Sequence, residues 1–152
     1  MKKTQLFYSL LAFFLLFQIS GVNAQDWKKL VEEGDKLAIK QFKNADALKK
    51  YEEANKVSPN NWEILWRLSR SHVDIGEHSA ASAQLPNYEK AEAYASKAIK
   101  LAPDKSINYL RRAIANGRIA LFKNVLSAAG VVNSVKADVE KAIALGNGGS
   151  EV

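Results

Sequence analysis

Apolar residues recur along the chain at steps of three and four, the period of a helix with one buried face. Trp27, Leu30, Val31, Leu37 and Ala38 mark a first stripe from Asp26, a candidate N-cap, to Gln41. A second opens at Asn44 or Ala45, carries Ala47, Leu48, Tyr51 and Ala54, and closes at Ser58-Pro59. Asn60-Asn61 then supply polar caps for a third, which holds Leu65, Trp66, Leu68 and His72 and runs to Ile75-Gly76. Tyr88, Ala91, Ala95, Ala98 and Ile99 form a fourth, stopped by Leu101-Ala102-Pro103. Asp104 is placed to cap a fifth, through Tyr109, Leu110, Ala113, Ile114, Ile119 and Leu121. Val135, Val139, Ala142 and Ile143 make the last stripe. Val125 to Val132, with Gly130 inside it, reads either as the start of that helix or as a loop. The small residues Ala91, Ala95 and Ala98 let a neighbour approach closely, so the stripes read as antiparallel pairs in an all-α chain.

The pairs resemble the tetratricopeptide repeat (TPR), a 34-residue helix-turn-helix closed by proline. Counting back from Pro59, Ala54, Tyr51 and Ala47 fall on that family's Ala, aromatic and Ala positions, with Gly34 one residue out of step. From Pro103, Ala98 and Ala91 land on the same sites. The two prolines lie 44 residues apart, one period plus ten. The surplus reads as an inserted loop, Glu77 to Asn87, between the helices of the second pair. The resemblance implies a right-handed array of three antiparallel pairs, about 26–58, 60–102 and 104–145, with a disordered tail over 146–152. A narrower resemblance lies in YLRRAIANGRIALFK, residues 109–123, and SVKADVEKAIAL, residues 134–145. These are similar to a helix pair of the regulator-of-microtubule-dynamics family and of bacterial exported proteins like it. What this implies is the fold, since export would separate the chain from any cytoskeleton. Members of that family continue into further repeats, so the chain reads either as a short form or as part of a longer array.

The N-terminus changes the picture of where the chain works. Lys2-Lys3, the apolar run from Leu6 to Phe17, and Val22-Asn23-Ala24 before Gln25 have the layout of a secretory signal peptide, residues 1–24. The apolar run is too short to span a bilayer as a helix. A retained N-terminal anchor is the alternative, and a lipoprotein anchor is excluded because the chain has no cysteine. Cleavage would leave a periplasmic or secreted protein with no stable membrane span, held together by packing alone. Of 22 Lys and Arg it would remove two, and none of the 16 acids, so the net charge falls from +6 to +4. The lysines are scattered among glutamates, which argues for solvated helix faces over a nucleic-acid stripe.

Candidate chemistry is sparse. His72 falls on the repeat family's core tyrosine position and reads as a buried, hydrogen-bonded side chain. His78 sits in the polar insertion with no second ligand at metal spacing. Glu32-Glu33, Glu52-Glu53 and Asp138/Glu140 read as solvent faces, the serines lack a partner histidine, and no glycine-rich loop precedes a helix. No catalytic residue, metal site or cofactor is expected. Most aromatics fall on helix-packing positions.

The repeat resemblance instead implies a concave groove lined by the first helix of each pair. Its candidate partner-binding residues are Trp66, Arg70, Asp74, Arg111, Ile114 and Arg118, because Trp and Arg dominate binding hot spots. A core position for Trp66 is the competing reading. One subclass of the family grips a C-terminal carboxylate with Lys and Asn, at positions held here by Val31 and Asp35, so that clamp is not expected. The expected function is a non-enzymatic module that binds a protein or peptide, accessory to a cell-envelope assembly. The alternative is self-association through the last pair, since no polar capping helix follows Leu145.

Overall fold

A computed structural model of the chain describes residues 26–146. The signal peptide expected over 1–24 and the tail expected over 146–152, apart from Gly146, lie outside these residues. Within them the fold is all-α: six helices in three antiparallel pairs, arranged as in the TPR. Helix α1 (Asp26–Asp35) runs into a π-helical turn (Lys36–Lys40) and pairs with α2 (Asn44–Val57). Helix α3 (Trp62–Glu77) pairs with α4 (Ala81–Leu101), and α5 (Ser106–Ala120) with α6 (Val125–Leu145).

The central helix is α3, and its sequence explains why. Asn61 accepts a hydrogen bond from the Glu63 amide at 3.0 Å, capping the N-terminus. Ile64, Leu65 and Leu68 are fully buried. Each such side chain contributes about 1.5–3 kcal/mol of apolar burial. They meet Val31 and Ala38 on one side and Ala47, Tyr51, Ala54 and Ala98 on the other. Ala91, Ala95 and Ala98, whose small size reads as allowing close approach, are fully buried on α4, as are Ala47 and Ala54 on α2.

Two glycines extend that logic. A Cβ on Gly34 would stand 2.5 Å from Cε1 of Tyr51, and one on Gly76 would stand 2.6 Å from Cε1 of Tyr88. An aromatic ring fills the space that each missing side chain leaves. The ring needs the glycine.

The third pair is held differently. The apolar cluster joining it to the second pair is small: Val73 and Ala91 meet Ala115, with half-buried Ile114 against them. Polar ties add to it. The Asn108 amide donates to the carbonyls of Ala98 (3.2 Å) and Ala102 (3.0 Å), satisfying the end of α4. Arg112 forks onto Asp138 with contacts of 2.8 and 2.6 Å, joining α5 to α6. Asp138, expected on a solvent face, is therefore buried. Its guanidinium partner lies on another helix, which a reading of one helix at a time does not reveal.

One further expectation is corrected and one open alternative is resolved. The stretch 77–87 is not an inserted loop: from Ala81 onward it is helical and lengthens α4 at its start. Pro86 breaks one backbone hydrogen bond there. Gln84 donates to the Ser79 carbonyl at 3.4 Å and Asn87 to the Ala83 carbonyl at 2.8 Å, so side chains brace this extension. Residues 125–132, which the sequence left open between helix and loop, are helix and form the start of α6 through Gly130. Helix α5 begins at Ser106, with Asp104 two residues upstream and its carboxylate 2.8 Å from Lys105 Nζ.

Candidate functional site: an indole under guanidiniums and the notch beside it

The side chains of interest gather where α1, α3 and α5 face one another. Asp35 ends α1, and its carboxylate accepts from the Tyr51 hydroxyl at 2.7 Å and from Arg67 Nε at 2.9 Å. Arg70 Nη2 lies 3.3 Å from the same oxygen and donates to the Tyr51 hydroxyl at 2.9 Å. Burial, the largest effect, pushes the Tyr51 phenol well above its ordinary pKa, so it stays neutral and donates to Asp35. This network ties α1, α2 and α3 together and fixes the two arginines.

Trp66 lies beneath them. The Arg67 guanidinium carbon is 4.2 Å from its ring centre, that of Arg70 5.4 Å, and that of Arg111, reaching from α5, 5.5 Å. Each cation over an indole is worth about 0.5–2 kcal/mol. Trp66 is only 8% exposed, yet it belongs to neither apolar cluster. Three guanidiniums lie over its ring.

The expected groove residues thus separate. Trp66, Arg70 and Arg111 come together. Asp74, one turn beyond Arg70, lines an adjoining notch. Arg118 is engaged with Glu77 across the ends of α5 and α3. Ile114 packs on the apolar cluster of the third pair. Arg67 was not foreseen, because residues adjacent in a helix do not share a face. Its long stem nevertheless folds back, and Nη1 donates to the Glu63 carbonyl at 2.8 Å.

The notch lies between the π-helical turn and the C-terminal end of α3. Phe42, Asn44, Asp74 and His78 line both of its adjoining hollows, of about 510 and 260 Å³. The Lys43 amide reaches back to the Leu37 carbonyl at 3.0 Å, and Phe42 sits at φ +55°. A helix end of this kind normally places glycine in the left-handed position. Phenylalanine there is strained, at a cost of about 1–2 kcal/mol, and it is 82% exposed. Ile39 beside it is also exposed. Burial raises the pKa of Asp74, against the lowering by Arg70 and Arg111. No hydrogen bond or ion pair from the described residues reaches its carboxylate. His78 Nδ1 meets the Asp74 carbonyl at 2.8 Å.

His72 is buried as expected. Nδ1 is 3.0 Å from Asn87 Oδ1, and the ring stacks on Tyr94 with centres 5.6 Å apart. Burial lowers its pKa, which keeps the ring neutral. Among the described residues no group of three His, Cys, Asp or Glu could hold a metal, and no helix is long and apolar enough to cross a membrane.

A family model described as "Regulator of microtubule dynamics protein 1-3" matches residues 30–149. The chain belongs to this family. The resemblance noted at 109–123 and 134–145 therefore extends over all three helix pairs. No curated protein sequence matches the chain. Among solved structures, one described as the second TPR of Spaghetti (RPAP3) bound to HSP90 peptide SRMEEVD is similar to it. The TM-score is 0.60 with 21% identity, over 80% of this chain and 93% of that one. That likeness establishes the fold. TPR-like helical repeats of this kind are typically protein-binding modules, and such domains are generally non-catalytic.

Proposed function

We propose that this member of the regulator-of-microtubule-dynamics family is a non-enzymatic module that takes an extended segment of a protein partner along the inner face of α1, α3 and α5. The supporting observation is Trp66: an indole outside both apolar clusters, roofed by the guanidiniums of Arg67, Arg70 and Arg111. Such a surface presents cationic donors held over a buried aromatic face, and Trp and Arg are the residues that dominate binding hot spots. An acidic side chain on the partner meets the guanidiniums that roof the indole. The chaperone-peptide clamp does not fit, because Val31 is buried and Asp35 presents a carboxylate already engaged by two arginines. In an exported chain the partner would belong to the cell envelope, where this protein would serve as an accessory subunit.

The test is panning of a phage-displayed random peptide library on the purified protein, followed by affinity measurement of synthetic copies. Enriched peptides should lose about tenfold or more in affinity on Arg111→Ala and on Trp66→Ala. Trp66→Ala should cost clearly less stability than the roughly 3–5 kcal/mol of a tryptophan removed from an apolar core. A full core penalty, or peptides indifferent to both changes, would sink the reading.

A second reading has its own observation. Val132, Val139 and Ile143 are exposed along one side of α6. An apolar stripe of that kind supports self-association through the last pair. It predicts a concentration-dependent solution mass that Val139→Lys returns to monomer.

A further inference from the structure

The notch carries an inference that rests on the groove reading and goes past it. Three features converge there, and the packing of the fold explains none of them. Phe42 holds a left-handed backbone that glycine would adopt without strain, and it holds its ring in solvent. The Asp74 carboxylate, on a half-buried residue, receives no hydrogen bond or ion pair from the described residues. The hollow joining them has the volume for one long side chain and its flanks.

Charge decides what fits. Of the cations that line the two hollows, Arg70 is committed to Asp35 and Tyr51, and Lys43 lines only the larger one, as does the acidic Asp46. An acidic or purely apolar occupant would desolvate Asp74 further, with only the fields of Arg70 and Arg111 to offset it. A basic side chain satisfies both walls, because its stem lies on Ile39 and Phe42 while its head meets the carboxylate and the ring face. We propose that the notch receives a lysine or arginine side chain of the bound segment, with Asp74 as its counter-charge and Phe42 as its stacking surface. The partner segment then carries mixed charge, with an acidic residue at the guanidinium roof and a basic one at the notch.

The experiment uses the peptides enriched on the purified wild-type protein. Lysine or arginine should be over-represented at one position. Replacing it by norleucine in the synthetic peptide should weaken binding about tenfold or more. Asp74→Asn, which keeps the shape, should weaken the parent peptide equally and leave the norleucine peptide unchanged. Phe42→Ser gives the same pattern more weakly. Peptides that depend on Arg111 but show no basic position, or keep their affinity on Asp74→Asn, overturn the notch and leave the groove reading standing. Absence of any peptide that depends on Arg111 or Trp66 overturns both.

Discussion

Gly34 and Gly117 both sit within helices, and the same substitution should move them in opposite directions. Alanine is favoured over glycine in a helix by about 1 kcal/mol. At Gly117 nothing lies within 4 Å of the added Cβ, so Gly117→Ala should gain that amount. At Gly34 the new methyl meets the Tyr51 ring at 2.5, 2.9 and 2.9 Å. The ring has no exposed edge, and its hydroxyl is held by Asp35 and Arg70, so it cannot swing aside without breaking the network that orients the arginines over Trp66. Overpacking of this kind costs about 1–3 kcal/mol. Loosening a hydrogen bond to a charged group adds about 1.5 kcal/mol or more. Against the propensity gain, the net loss is about 2 kcal/mol. For a domain of this size 1 kcal/mol moves Tm by about 4 °C. Thermal melts followed by helical circular dichroism should therefore place Gly34→Ala about 8 °C below wild type and Gly117→Ala about 4 °C above. Equal or rising melts for both would mean that Tyr51 is not wedged against α1, and would remove the support beneath Arg70.

Four measurements probe other parts of the molecule. Asp138→Asn should cost roughly 2–3 kcal/mol in urea unfolding, below the figure for a fully buried pair because the Arg112 side chain stays 27% exposed. His72 has a lowered pKa in the folded state, through burial among Asn87, Tyr94, Lys90 and Glu52, so the unfolded chain binds the proton first. Its contribution is complete above pH 6.5 and falls as pH drops below that value; His72→Gln should flatten the decline between pH 7 and 5 in urea titrations at fixed ionic strength. Asp74 has the opposite sign, since its raised folded pKa costs stability as pH rises past the ordinary carboxylate value. Asp74→Asn should accordingly melt higher than wild type at pH 7. Phe42→Gly should gain about 1 kcal/mol from relief of the left-handed backbone, offset in part by glycine's greater freedom in the unfolded chain, while weakening the selected peptides.

The last two changes are expected to raise stability and lower binding, and that opposition bears on what a sequence can reveal. The helix stripes were legible because burial and period are written into the same residues: Ala47, Tyr51 and Ala54 could be placed by counting from Pro59, and all three are fully buried. Trp66, Arg70 and Arg111 could be brought to one surface by the repeat resemblance, since each recurs at a register fixed by its helix. Arg67 and Asp138 could not, because a long stem folding back and a partner on another helix are matters of three dimensions. The inserted stretch misled because Glu77 to Asn87, polar and proline-containing, has a loop's composition; its helix is braced by Asn87 and Gln84 and by the fit of Tyr88 against Gly76. Phe42 marks the limit most clearly. In QFKNA nothing sets it apart, since an exposed phenylalanine between two helices is an ordinary sequence event. Only the backbone shows that it occupies a glycine's place, lining the same hollow as a carboxylate that no hydrogen bond or ion pair from the described residues reaches. Residues held at a cost to the fold do not follow the fold's pattern, so the pattern that finds the core passes over them.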